Sequence, residues 1–222
     1  YSGFLMQEKP KFPYLCLAVS GGNTILLIVE SDTKIIKLGS TIDDAVGEAF
    51  DKVSKLLGLG YPGGPKIEEY SKKGDCNSIK FPISKTKNDL DFSFSGLKTA
   101  VLRYTQKEFP NGKIPESAIF DIASSFQSTA IRSLTNNVEK ALKKFKVNSI
   151  SIVGGVAANS LLRSEIFKIG NKYKINTVIP SIEYCGDNAA MIAYRGQQLY
   201  LSGKSYNLDY TAFPNLNFDY WE

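Results

Sequence analysis

The sequence predicts an α/β fold: a mixed β-sheet flanked by helices, with a helical insertion between its strands. Three observations carry this. Three short apolar runs joined by tight polar turns fill residues 14–39, the pattern of an antiparallel meander. Two later β-branched runs, at residues 150–153 and 177–180, each precede a stretch of helical periodicity, the pattern of βα units. Between these two groups, residues 66–145 are either helical in period or polar and irregular, which marks the insertion.

Taken in order, residues 1–13 read as the end of a preceding segment and a charged linker ending at Phe12-Pro13. The main unit spans residues 14–202. Its first strand is YLCLAV at 14–19; the turn Ser20-Gly21-Gly22-Asn23 leads to strands at 24–30 and 34–39. Gly21 and Gly22 are expected where a Cβ would meet a ligand or force a strained φ. Thr41 is expected to cap a helix whose apolar positions, Ile42, Ala45, Val46, Ala49, Phe50, Val53, Leu56 and Leu57, recur at helical spacing. Asp51 lies on its polar stripe, where it either pairs with Lys55 at i+4 or faces a ligand. Gly58 and Gly60 stop the helix, and Tyr61-Pro62-Gly63-Gly64-Pro65 turns into a short one.

Residues 71–115 are polar and irregular, apart from a helix after Ser93-Phe94-Ser95-Gly96 that carries Lys98 and Arg103. A long helix is expected over 116–144, with Ile119, Ala123, Phe126, Ala130, Leu134, Val138 and Leu142 on one face. Lys140, Lys143, Lys144 and Lys146 at its end fit either helix-dipole placement or a phosphate-contact patch. The strand at 150–153 runs into Gly154-Gly155 and the capping pair Asn159-Ser160, then a helix. Strand, glycine turn and helix together let backbone approach a nucleotide closely. After the strand at 177–180, Cys185-Gly186-Asp187-Asn188 starts the last helix. Asp187 is either its cap or an acid at the carboxyl end of a strand, where open α/β sheets bind ligands. Residues 203–222 are irregular and aromatic; they either pack on the domain or stack on RNA bases.

The bulk numbers narrow the function. The chain is 43% hydrophobic and 22% charged, and no apolar run is long enough to span a bilayer. Its net charge of +5 leans toward polyanions. Histidine is absent, so a Ser-His-Asp or Cys-His site and any histidine-ligated metal are excluded within these residues. Three cysteines without metal-type spacing argue against a disulfide framework and for a reducing, cytoplasmic setting.

Five motifs in order resemble the TsaD family of tRNA threonylcarbamoyladenosine synthesis, once named as O-sialoglycoprotein endopeptidases. They are SGGNT at 20–24, DDAVGEAFDKVSKLLGLGYPGGP at 43–65, FSFSGLKTA at 92–100, VGGVAANSLLR at 153–163 and CGDNAAMIA at 185–193. The resemblance implies a ribonuclease-H-like, actin-like (ASKHA) lobe. It also implies transfer of threonylcarbamoyl from threonylcarbamoyl-AMP to the adenosine beside the anticodon of tRNA, with TsaB-like and TsaE-like subunits as partners. Carried over by motif, Ala18, Val19, Ser20, Gly21 and Gly22 hold the adenylate, Asp51, Gly64 and Asn159 contact the substrate, and Asp187 is a metal ligand. No catalytic residue is assigned. The family's first lobe supplies a His-x-x-x-His pair for one divalent metal, iron or zinc, and that lobe would lie upstream of Tyr1. One carboxylate holds a transition metal poorly, so this chain alone is expected to bind metal weakly or not at all. The alternative is a non-catalytic module that binds a nucleotide or a partner. A peptidase finds no support in a chain without histidine.

Overall fold

The computed structural model describes residues 1–204 and residue 207. Apart from 203, 204 and 207, the aromatic tail expected to pack on the domain or stack on bases lies outside the described residues. Five strands form one sheet in the order β3-β2-β1-β4-β5: β1 Tyr14–Val19, β2 Thr24–Val29, β3 Ile35–Ser40, β4 Ser149–Val153 and β5 Asn176–Val178. The first three are antiparallel neighbours, with Tyr14 opposite Val29. β4 lies parallel to β1, with Tyr14 opposite Ser149, and β5 parallel to β4. This mixed sheet, covered by helices, is the expected actin-like lobe.

β1 sits at the centre and is apolar throughout because both of its faces are covered. Leu15, Leu17 and Val19 point into the main core, while Tyr14 and Cys16 point into a second cluster on the other face. The main core is filled by Phe50 of α1 (Val46–Leu56), Ile67 of α2 (Gly63–Ser71), Val101 of α3 (Ser95–Glu108), Phe126 and Leu134 of α4 (Glu116–Lys144), and Ile166 of α5 (Ser160–Tyr173). Phe50 and Phe126 meet edge to face at 5.0 Å. The second cluster stacks Phe4 on Tyr194 of α6 (Ala189–Leu201) at 5.4 Å, with Phe12 beside Tyr14 at 5.7 Å. Residues 1–13 thus contribute a 3-10 turn, Ser2–Leu5, in which Phe4 is buried. No helix among the described residues is long and apolar enough to cross a membrane.

The start of α1 differs from expectation, and the start of α6 excludes one of the two readings of Asp187. Thr41 does not cap α1: its hydroxyl donates to the Asp44 carbonyl at 2.7 Å, and Thr41 bridges to Phe92. The helix begins four residues beyond the exposed Ile42, at Val46, whose amide donates to Thr24 Oγ1 at 2.9 Å. At α6 the cap is Asn188, which accepts from the Met191 amide at 2.9 Å, and not Asp187.

The insertion is fixed to the sheet by the two acids before α1. Asp43 accepts from the Phe94 and Ser95 amides at 2.8 and 3.3 Å and from the Ser93 hydroxyl at 2.5 Å, so it caps α3 from outside. Asp44 bridges Lys52 and Lys98 at 2.8 and 3.0 Å. Burial works against its charge, but hydrogen bonds from the two ammonium groups outweigh that and hold the carboxyl below its ordinary range. The 43–65 and 92–100 motifs are therefore two halves of one junction.

Candidate functional site

β1 and β4 end side by side, and a pocket opens beyond their carboxyl ends. After β1, residues 20–23 close a turn on themselves: the Ser20 amide donates to the Asn23 carbonyl at 2.8 Å, and the Asn23 amide to Ser20 Oγ at 3.1 Å. Two glycines let other segments press against this turn. Gly47 in α1 donates its amide to the Ser20 carbonyl at 3.2 Å, and a Cβ there would sit 2.5 Å from that oxygen. Gly154, after β4, has φ 94°, and a Cβ would sit 2.3 Å from the Val19 carbonyl oxygen.

Beyond Gly154 a 3-10 turn, Gly155–Ala158, delivers Asn159 to the start of α5. Asn159 is buried and works twice. Its Oδ1 accepts from the Leu162 amide at 3.0 Å, and its Nδ2 donates to Gln127 Oε1 at 2.8 Å. Gln127 passes the bond on to Ser71 Oγ at 2.7 Å, so the amide is held by α2 and α4 as well as by its own helix. Glu68 reaches in from α2: it accepts from the Ser160 amide at 3.1 Å, from the Ser160 hydroxyl, and from Asn159 Nδ2 at 3.4 Å.

Asp51 does not pair with Lys55. Its Oδ1 accepts from the Gly63 amide at 2.7 Å, which caps α2 from α1, and its second oxygen takes no described hydrogen bond. The adjacent glycines differ in purpose. Gly63 lies against α1, where a Cβ would meet the Asp51 Cα at 2.5 Å, while Gly64 faces open space.

These segments enclose a pocket of about 270 Å³. It brings together Gly21, Asp51, Gly64 and Asn159 of the expected site residues. Ala18 and Val19 are strand residues beneath it, and Ser20 and Gly22 belong to the bordering turn without lining it. Neither Gly21 nor Gly22 has a left-handed φ, so of the two expected constraints backbone strain does not apply, and a Cβ on either would meet no protein atom within 4 Å. Around the 20–23 turn the close-packed glycines are Gly47 and Gly154. Gly22→Val should therefore leave the urea unfolding midpoint unchanged, so any loss of nucleotide affinity in calorimetry reports the ligand and not the fold.

Sequence reasoning missed Gly47, Phe50, Tyr61 and Glu68 as lining residues. Tyr61 had the clearest signal, an aromatic at the head of a Pro-Gly-Gly-Pro turn; the residue is 81% exposed and lines the pocket. Glu68 had none, since one acid on a polar helix face is ordinary.

Asp187 lies apart from the pocket, exposed in the loop between β5 and α6, with no described partner. That loop is tied to the pocket's 3-10 turn by Arg163, whose Nη1 donates to the Ala157 carbonyl at 3.1 Å and the Pro180 carbonyl at 2.9 Å. Among the described residues no cluster of three histidine, cysteine or acidic side chains could hold a metal ion. A lone exposed carboxylate does not make a transition-metal centre.

A family model described as TsaD, tRNA N6-adenosine threonylcarbamoyltransferase, matches residues 1–194. The chain belongs to this family. TsaD relatives of that name from Thermosipho africanus and Carboxydothermus hydrogenoformans are 48% and 46% identical over 97% of this chain. The chain spans 64% and 63% of their lengths. Two solved structures share the fold at low identity. Full-length HypF in its phosphate- and nucleotide-bound form superposes with a TM-score of 0.64 at 11% identity, over 92% of this chain and 35% of its own. HypF from T. kodakarensis gives 0.57 at 16% identity, over 86% and 34%.

Proposed function

We propose that this chain is the adenylate-binding lobe of an enzyme that transfers threonylcarbamoyl from threonylcarbamoyl-AMP to the adenosine beside the anticodon of tRNA. The observation that supports it most is the convergence of Gly21, Asp51, Gly64 and Asn159, which come from four separate segments, on one pocket in a TsaD-family chain. The pocket lies where parallel strands end, the usual ligand position of open α/β sheets. In this reading the free oxygen of Asp51 takes a ribose hydroxyl, the open faces of Gly21 and Gly64 admit the ligand's backbone-hugging portion, and Tyr61 offers a flat face to the base.

The reaction is acyl transfer. The adenosine N6 attacks the carbamoyl carbon and sheds one proton as the C–N bond forms. The bond from that carbon to the AMP phosphate oxygen breaks, and AMP leaves with its electrons. The lobe's contribution is to hold the adenylate in line for this attack. The residues described do not form a metal centre, so no step is assigned to one. Asp187 is proposed as one ligand of a divalent iron or zinc completed by groups outside this chain. The tRNA, TsaB-like and TsaE-like partners and a cytoplasmic setting belong to the same proposal.

Calorimetric titration with AMP tests the reading. We expect saturable binding that Tyr61→Ala weakens by about 1–2 kcal/mol, the size of one base–aromatic stack. Absence of AMP binding would remove the adenylate assignment. Binding by a lobe that supports no transfer when joined to the remaining third of its relatives' length would favour a non-catalytic module.

A further inference from the structure

The polar groups behind the pocket form one hydrogen-bonded line whose direction is fixed at both ends. At one end the Leu162 amide can only donate, and it donates to Asn159 Oδ1 at 3.0 Å. That turns Asn159 Nδ2 toward Gln127, whose Oε1 accepts from it at 2.8 Å. Gln127 then aims its own nitrogen at Ser71, with Nε2 donating to Oγ at 2.7 Å. The Ser71 hydroxyl passes its hydrogen to the Glu68 carbonyl at 2.8 Å, a group that can only accept.

Both ends are backbone, so the line cannot run the other way. Turning Asn159 over would bring its nitrogen against the Leu162 amide, two donors face to face. Turning Gln127 over would bring the two side-chain nitrogens together. Asn159, Gln127 and Ser71 are all buried, so mismatched groups would have no easy recourse to bulk water. Asn159 lines the first pocket, whereas Gln127 and Ser71 do not. Its orientation is therefore set from outside the pocket, by α2 and α4. With Oδ1 committed to α5, the group left over is the second hydrogen on Nδ2. That nitrogen lies 3.4 Å from Glu68 Oε2, a long contact that a ligand acceptor can share or replace.

We propose that Gln127 is a positioning residue of this pocket: it holds Asn159 so that a donor, and not an acceptor, is available to the ligand. The ligand atom beside Asn159 is then an acceptor, as phosphate oxygens and adenine ring nitrogens are. The inference rests on the adenylate reading for the identity of the ligand.

The test is calorimetry with AMP, together with NMR of the Asn159 side-chain NH₂ group, on the full 222-residue chain. In the wild type those NH₂ signals should exchange slowly with solvent and shift as AMP binds. Gln127→Met keeps the length of the side chain and removes both of its bonds. It should quicken the exchange and weaken AMP binding by roughly fivefold, the worth of one hydrogen bond. Ser71→Ala leaves Gln127 in place but frees it to turn over, and should weaken binding in the same direction. Ser71→Thr, which keeps the hydroxyl, should restore it. A Gln127 that served the fold alone would lower the melting temperature and leave the AMP dissociation constant of the folded protein unchanged. Wild-type affinity in both Gln127→Met and Ser71→Ala, beside a weakened Asn159→Ala, overturns the proposal and leaves the adenylate reading standing. Should Gln127→Met fail to fold, Ser71→Ala decides by the same criterion. No AMP binding by the wild type overturns both.

Discussion

Gly154→Ala should destabilise the lobe by about 3 kcal/mol, more than any other single change at the pocket. Two costs add. The residue holds φ 94°, which an L side chain adopts only with strain, and its new Cβ would sit 2.3 Å from the Val19 carbonyl oxygen. That oxygen belongs to backbone at the end of the central strand, so it cannot swing aside as a flexible side chain would. To relieve the clash β4 must draw away from β1, and the turn at 20–23 and Asn159 then lose their alignment. Nucleotide binding should fall with stability. Urea denaturation checks the first effect and calorimetry with AMP the second; an unfolding midpoint equal to the wild type's would show that the two strands part without cost.

Asp51→Ala should produce the second largest effect, because one carboxylate serves two purposes. It caps α2 through the Gly63 amide at 2.7 Å, and losing a cap costs about 0.5–2 kcal/mol of stability. If its second oxygen holds a ribose hydroxyl, AMP affinity should fall by a further 1–3 kcal/mol or so. Asp51→Asn separates the two roles. The amide oxygen can still accept from Gly63, so stability should return, whereas Asn offers an NH₂ where the free oxygen was. Equal AMP dissociation constants for the Asn variant and the wild type would leave Asp51 as a cap alone.

The strands and the long helix were legible because burial writes itself into local pattern. β1 is apolar at every position since each face has its own cluster, and α4 keeps one apolar stripe from Ile119 to Leu142 between Pro115 and Phe145. The start of α1 was not legible. Thr41 looks like a cap and Ile42 fits the helical period, yet Ile42 is 63% exposed, because the Thr41 hydroxyl is drawn to Asp44 and the backbone to Phe92. The same limit applies at the site. Glycine pairs mark where chain segments crowd, but only three dimensions show that Gly47 and Gly154 carry the crowding while Gly21 and Gly22 face open space. Asp51 stood out by its motif, whereas Glu68 needed Ser160 and Asn159, more than ninety positions away, to reveal itself.

The pairing of Tyr14 with Ser149 also bears on the protein's birth at the ribosome. β1 finds β2 almost at once, but its parallel partner is over a hundred residues downstream. At typical synthesis rates of roughly 5–20 residues per second, that is on the order of ten seconds during which the central strand has one unpaired side. An apolar strand with open backbone groups is a template for joining another chain. The nascent lobe is therefore most vulnerable to aggregation before β4 emerges, and a substitution that delays the docking of β4 lengthens that interval even when the finished lobe can still form.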